Sequence, residues 1–196
     1  MASEAEARIR AKAERLLREH FPDARIVHEF DLGDVRLDLA AITPERLILL
    51  EIKSELDTLS RLEKQVRVGL SLGGPVLVCF APRWREAIGK VRAAGDLWGA
   101  EWLEEADDGF TGLYPLRIAD RHDLWNNRAL MSLLLKPELL ALARPFGGKA
   151  KHTVPELARL VHENLNGREI RQGAMTALRA RNFGWVCDAP IARAAA

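Results

Sequence analysis

The sequence of 196 residues predicts an α/β fold: a mixed β-sheet core flanked by helices, followed by a helical C-terminal extension. Three observations predict it. Residues 35–42 and 46–53 alternate with a period of two, the mark of strands. Val76–Phe80 is a short, continuous apolar run of the kind found in strands buried on both faces. Apolar residues recur at helical spacing behind capping signals near both ends of the chain.

Ser3 with Glu6 three residues on is a capping-box pattern, and Ile9, Ala13, Leu16 and Leu17 lay an apolar stripe along a helix over Glu4–His20. Phe21-Pro22-Asp23 ends it, and a short strand over 25–30 closes at Asp31-Leu32-Gly33-Asp34. In the next run Val35, Leu37, Leu39 and Ala41 alternate with Arg36, Asp38, Ala40 and Ile42. Thr43-Pro44-Glu45 punctuates it; then Ile48, Leu50 and Ile52 share one face of a strand, and Leu47, Leu49, Glu51 and Lys53 the other. Asp57 and Thr58 are candidate caps for a helix through Arg61, Gln65 and Gly69, which Gly73-Gly74-Pro75 stops. After the Val76–Phe80 strand, Pro82 opens a helix over about 85–93, and Asp107-Asp108-Gly109 is a hairpin-turn signal between 100–106 and 110–116.

Beyond Asp120 the pattern is helical. Leu130, Leu133, Leu134, Leu139 and Leu142 mark one or two helices interrupted at Lys136-Pro137, and Phe146-Gly147-Gly148-Lys149 reads as a linker. Thr153 with Glu156 is a second capping box, with Pro155 tolerated in the first turn. Leu157, Leu160, Val161 and Leu165 form that helix's apolar face, Asn166-Gly167 breaks it, and Ile170, Ala174, Ala177 and Leu178 continue as another helix. The predicted organisation is an α/β core over 1–120 and a helical module over 121–196 that could bind nucleic acid.

Composition excludes several classes. The apolar share of 48% and charged share of 29% are those of an ordinary globular chain, and no apolar run nears the ~18 residues of a membrane span. The polar, acidic start carries no signal-peptide stretch, so a cytoplasmic protein is expected. Cys79 and Cys187 form no CxxC pair and read as buried thiols, and no two of the five histidines have metal-ligand spacing on one helix. Net charge is +1, but residues 1–140 hold 20 Lys/Arg against 24 Asp/Glu, whereas 141–196 hold 9 against 4. That basic tail suits a phosphate-bearing partner.

Candidate chemistry sits on the central hairpin. With Pro44 and Glu45 at the turn, Asp38 lies opposite Glu51 and Arg36 opposite Lys53, with directly opposed Cβ atoms roughly 5 Å apart on one face. Pro-Glu is not a favoured two-residue turn, so a longer loop is the alternative. Two facing carboxylates repel unless a cation lies between them. The reverse face, Val35, Leu37, Leu39, Ala41, Ile48, Leu50 and Ile52, is expected to be core.

The segment Leu49-Leu50-Glu51-Ile52-Lys53, with Asp38 thirteen residues before Glu51 in the neighbouring strand, resembles the motif of the PD-(D/E)XK nuclease superfamily, which includes restriction endonucleases. Glu29-Phe30, Arg36-Leu37-Asp38, Ser54, Asp57, Arg61-Leu62 and Gln65 extend the similarity to small uncharacterised bacterial and phage members, over roughly residues 25–80. The departure is Leu37, where the motif has Pro before its Asp. The resemblance implies a restriction-endonuclease-like fold. It further implies that Asp38 and Glu51 bind Mg²⁺ (or Mn²⁺) with the Ile52 backbone carbonyl, that Glu29 is a further ligand, that Lys53 positions the attacking water and that Gln65 supports it. The implied activity is hydrolysis of phosphodiester bonds, in DNA first of all, with double-strand cleavage favouring a homodimer.

Each feature has a plainer reading. A lone Glu-X-Lys is common on strand ends, Gln65 is an ordinary polar helix residue, and a strand-edge Glu29 is usually solvated. His162-Glu163-Asn164 lacks the context of an HNH nuclease and reads as surface, and the five tryptophans read as core and interface anchors. Arg36 and Arg61 beside the motif, and Arg168 and Arg171 in the C-terminal helices, are the candidate nucleic-acid contacts. Two rival functions remain: a non-catalytic nucleic-acid-binding or regulatory module, motivated by the basic tail, and a protein-interaction subunit.

Overall fold

Ser3 caps helix α1 (Glu4–His20) as its pattern predicts, its hydroxyl accepting from the Glu6 amide at 3.1 Å. The computed structural model describes residues 3–112, 125–183 and 188–189. After α1 come β1 (Arg25–Asp31), β2 (Arg36–Ile42), β3 (Leu47–Lys53), α2 (Leu62–Ser71), β4 (Val76–Phe80), α3 (Arg85–Ala94), β5 (Glu101–Ala106) and β6 (Gly109–Gly112). Helices α4 (Asn127–Ser132), α5 (Lys136–Ala143), α6 (Val154–Asn164) and α7 (Gly167–Ala180) complete the described chain. The fold is mixed α/β, as predicted.

One six-stranded sheet runs in chain order, β1 to β6. The β1–β2, β2–β3 and β5–β6 pairs are antiparallel, and β3–β4 and β4–β5 parallel. Strand β3 is central and all seven of its residues are buried. The expectation of a single core face on the hairpin is therefore corrected: both faces are packed. Ile48, Leu50 and Ile52 meet α1 through Ile9, Ala13 and Leu17. Leu47 and Leu49 face a second core built with Leu62 and Val66 of α2, Ile88 of α3 and residues of α4 to α7, including Leu130, Leu139, Leu157 and Leu178.

The alternation of β2 contains a break that the period-two pattern does not predict. Leu39 and Ala41 belong to the α1 side, but Leu37 belongs to the opposite core with Ala40 and Ile42. The neighbouring β1 inverts at the same level: His28 pairs with Leu39 and Phe30 with Leu37, while Glu29 and Asp38 drop out of the ladder. Glu29 adopts φ 52°, a left-handed conformation that rotates the strand by half a pleat. Both strands thus flip sides at Glu29 and Asp38.

Other differences are local. Asp57 and Thr58 do not cap α2, which starts at Leu62 behind Arg61 with no side-chain cap. Asp57 instead holds the turn after β3, accepting from the Ser54 amide at 2.7 Å and hydroxyl at 2.6 Å. Lys136-Pro137 opens α5 rather than interrupting a helix, because proline is tolerated in a first turn. Asn166, read as a breaker, caps α7 by accepting from the Arg168 and Glu169 amides. The part of the 110–116 strand beyond Gly112, the boundary at 120/121, Trp185 and Cys187 lie outside the described residues; Cys79 is buried and free. No described helix is long and apolar enough to cross a membrane.

Candidate active site

The register places the two carboxylate positions as predicted. Strands β2 and β3 pair Leu39↔Leu50, Ala40↔Leu49, Ala41↔Ile48 and Ile42↔Leu47, so Asp38 and Glu51 are the next step along. The ladder stops before them. Where the strands diverge, the Ile52 amide donates to Asp38 Oδ2 at 2.7 Å instead of continuing the pairing. The splay opens a cavity of about 650 Å³ beside the ends of the strands.

Asp38, Glu51, Ile52, Lys53, Gln65, Glu29, Arg36 and Arg61 all line that cavity, and Arg168 and Arg171 do not. Glu51 and Lys53 are 3% and 5% exposed, and Lys53 Nζ donates to Glu51 Oε1 at 2.6 Å and to Gln65 Oε1 at 3.2 Å. Gln65 in turn donates from Nε2 to the Arg36 carbonyl at 3.1 Å. It reaches the site because Leu62, Gln65, Val66 and Gly69 form the buried face of α2. Gly69 lets the helix press onto the sheet: a Cβ there would lie 3.0 Å from Val76 Cγ2 and 3.5 Å from Leu49 Cδ1.

Sequence reasoning missed Arg10 and Glu6. From α1, Arg10 donates to the Asp38 carbonyl at 3.1 Å and to Asp38 Oδ1 at 3.2 Å, pairs with Glu6 at 2.7 Å and lies 3.5 Å from Glu29. Only the i,i+4 spacing of Glu6 and Arg10 was visible in the sequence, and that spacing alone reads as a helix-surface pair.

Electrostatics follow from crowding. Burial pushes the Glu51 carboxyl up to about 8, and the charge of Asp38 adds to the rise, partly opposed by Lys53. Burial also raises the Asp38 carboxyl, against the Ile52 amide and Arg10, which favour its ionised form. Glu51 Oε2 is buried and has no hydrogen-bond partner. Buried polar atoms are rarely left so, and a proton or a cation would complete it. The donor set of two carboxylates thus fits a divalent cation. No group of three or more His, Cys, Asp or Glu side chains suited to a metal occurs among the described residues.

The family model described as Bacteriophage P4 protein cII matches residues 1–184. The chain belongs to that family. The match spans all the described helices and strands and every cavity residue, so the site lies within the family's own extent. No curated protein matches the chain. Among solved structures, the structure of Pyrococcus furiosus SfsA in complex with Ca²⁺ is similar at 17% identity and a TM-score of 0.34, over 55% of this chain. The matched region is 62% of that SfsA chain, and a likeness of this degree carries no argument about fold or chemistry.

Proposed function

We propose that this cII-family chain is a metal-dependent nuclease of the PD-(D/E)XK type, hydrolysing phosphodiester bonds in DNA with Mg²⁺ or Mn²⁺. The observation that carries the reading is Glu51: one oxygen is clasped by Lys53, the other is buried and unpartnered, and the residue lines a cavity shared with Asp38. Asp38 and Glu51 would hold the cation, with the Ile52 carbonyl as the resemblance implies. A bound divalent cation supplies Lewis-acid polarisation of the phosphate and a more acidic water.

The chain's own groups divide the remaining work. The Lys53 ammonium has three N–H donors and spends two on Glu51 and Gln65. The third is left for the attacking water or for a phosphate oxygen gaining charge. Gln65, tied to the Arg36 carbonyl, fixes the direction of that ammonium. Arg36 and Arg61 give the cavity wall positive charge for the nucleic-acid backbone, while Arg168 and Arg171 could meet only phosphates farther along.

Incubating the purified protein with plasmid DNA, oligonucleotides and RNA tests this. Cleavage with Mg²⁺ or Mn²⁺ that is lost with a chelator and in Glu51→Gln supports it. If neither nucleic acid is cut with either metal, and calorimetry finds no Glu51-dependent metal binding, the enzyme reading fails.

A second reading, a nucleic-acid-binding or regulatory module without turnover, draws on the basic residues 141–196. Salt-sensitive DNA binding that survives Asp38→Ala and Lys53→Ala, with no cleavage by the wild type, would select it.

A further inference from the structure

The C-terminal helices hold a second cavity, which no step of the proposed reaction uses. Helix α6 packs mainly on α5, and α4 on α7. Between α4, α5 and α6 a space of about 530 Å³ stays open. Its floor is apolar: Met131 of α4 and Leu139 of α5 are 5% and 1% exposed. Val154, Pro155 and Ala158 line it from α6, beside the stripe of Leu157 and Val161 that α6 buries in the core. Val154 is left 43% exposed, so the helices do not cover this apolar wall by themselves.

The remaining lining has the opposite character. Arg128, Arg159 and His162 also line the cavity and are exposed, and no acidic side chain is among the described residues around it. Arg159 comes only within 3.8 Å of Glu163, whereas the like-spaced pairs Arg67–Glu63 and Lys90–Glu86 close to 2.8 and 2.6 Å. The Arg128 and His162 side chains have no hydrogen-bond or ion-pair partner among the described residues. Donors with no acceptor therefore stand over an apolar floor. A phosphate backbone would meet the arginines and leave the floor empty; a plain hydrocarbon would cover the floor and leave the arginines unmatched. One molecule satisfies both when it joins an anionic group to an apolar body. The size and the seat between helices are those of small-ligand sites in helical bundles.

We propose that this cavity binds a small organic anion, a carboxylate, sulfonate or phosphate ester with an apolar body the size of one or two rings. Arg128 and Arg159 hold the anionic group, and Met131, Leu139 and Val154 receive the body. The site is separate from the Glu51 centre and does not depend on the metal-dependent reading.

Fluorescence titration of the full chain with two probes tests it: anilinonaphthalene sulfonate, and phenylnaphthylamine, which has the same rings without the sulfonate. The wild type is expected to bind one sulfonate probe per chain, and the uncharged amine at least about tenfold more weakly. Arg128→Ser combined with Arg159→Ser should weaken the sulfonate about tenfold and leave the amine unchanged. Val154→Asp should weaken the sulfonate by a similar factor without harming the fold, since an acidic residue suits the first turn of a helix. No binding by the wild type, equal affinity for the two probes, or a sulfonate affinity unchanged in both variants overturns the proposal. Displacement of the sulfonate by a DNA oligonucleotide would assign the cavity to nucleic acid, and a wild-type dimer that Val154→Asp dissociates in sedimentation would assign it to a second copy; either result also overturns it.

Discussion

Glu51 is the residue on which the pH behaviour of this protein turns. Its carboxyl is pushed from an ordinary 4.5 up to about 8 by burial and by Asp38, so at neutral pH the metal-free protein holds a proton there. A cation must displace that proton, and below pH 8 metal affinity is expected to fall about tenfold for each unit of pH. Calorimetry at pH 7 in buffers of different ionisation enthalpy should show close to one proton released per ion bound, and a pH-independent affinity would contradict this. Stability has the matching sign. Because the folded pKa exceeds the unfolded one, the metal-free fold is most stable with Glu51 protonated and loses stability as pH rises from 4.5 to about 8. Glu51→Gln should flatten that slope in denaturant melts. Lys53→Ala, which removes an ammonium touching both Glu51 and Gln65, is expected to lower kcat about a thousandfold and, because it strands buried acceptors on both, to lower the melting temperature as well.

At the scale of the element, two local features set the site. The first is the inversion of β1 and β2 at Glu29 and Asp38, which requires Glu29 to hold φ 52°. A residue with a Cβ is strained there, and Glu29→Gly is expected to stabilise the fold by about 1 kcal/mol, measured by urea unfolding. A loss of stability would mean that the Arg10 contact outweighs the strain. The second is the close seat of α2 at Gly69. A Gly69→Leu side chain would collide with Val76 and lift the helix, costing about 1–3 kcal/mol and separating Gln65 from Lys53. Activity should then fall more than the stability loss alone explains, with the effect in kcat rather than KM.

At the scale of the whole molecule, the sheet and the C-terminal helices share one apolar cluster, from Val27 and Phe30 to Leu157 and Leu178. Arg25, 1% exposed, strengthens the join: its guanidinium donates to the carbonyls of Arg179 at 2.9 Å and Arg181 at 2.5 Å, at the end of α7, and to that of Asp188 at 3.0 Å. The Arg179 and Arg181 carbonyls, at the helix C-terminus, have no partner within the helix. Arg25→Ala is expected to cost about 3 kcal/mol, since it strands buried acceptors. Calorimetry of the intact chain should show one unfolding transition. Two separated transitions would mean that residues 121–196 form an independent unit.

The sequence by itself determined much of this protein. Period-two runs placed β2 and β3, and the position of Pro44-Glu45 set a register that puts Asp38 beside Glu51, because side-chain alternation and turn position are local properties of the chain. The N-cap at Ser3 and the capping box at Thr153 are legible for the same reason. Only the tertiary structure decided what surrounds those residues. That β3 is covered on both faces is hinted at by its unbroken run Leu47–Leu50, but which helices cover it is decided only when they dock. The side switch of Leu37 follows from a left-handed residue in the neighbouring strand. Arg10 reaches Asp38 across 28 positions of sequence, through packing of α1 that brings an ordinary surface-pattern arginine onto a half-buried carboxylate. Hydrophobic periodicity reports burial; the pairing of charges across elements is decided when the elements meet.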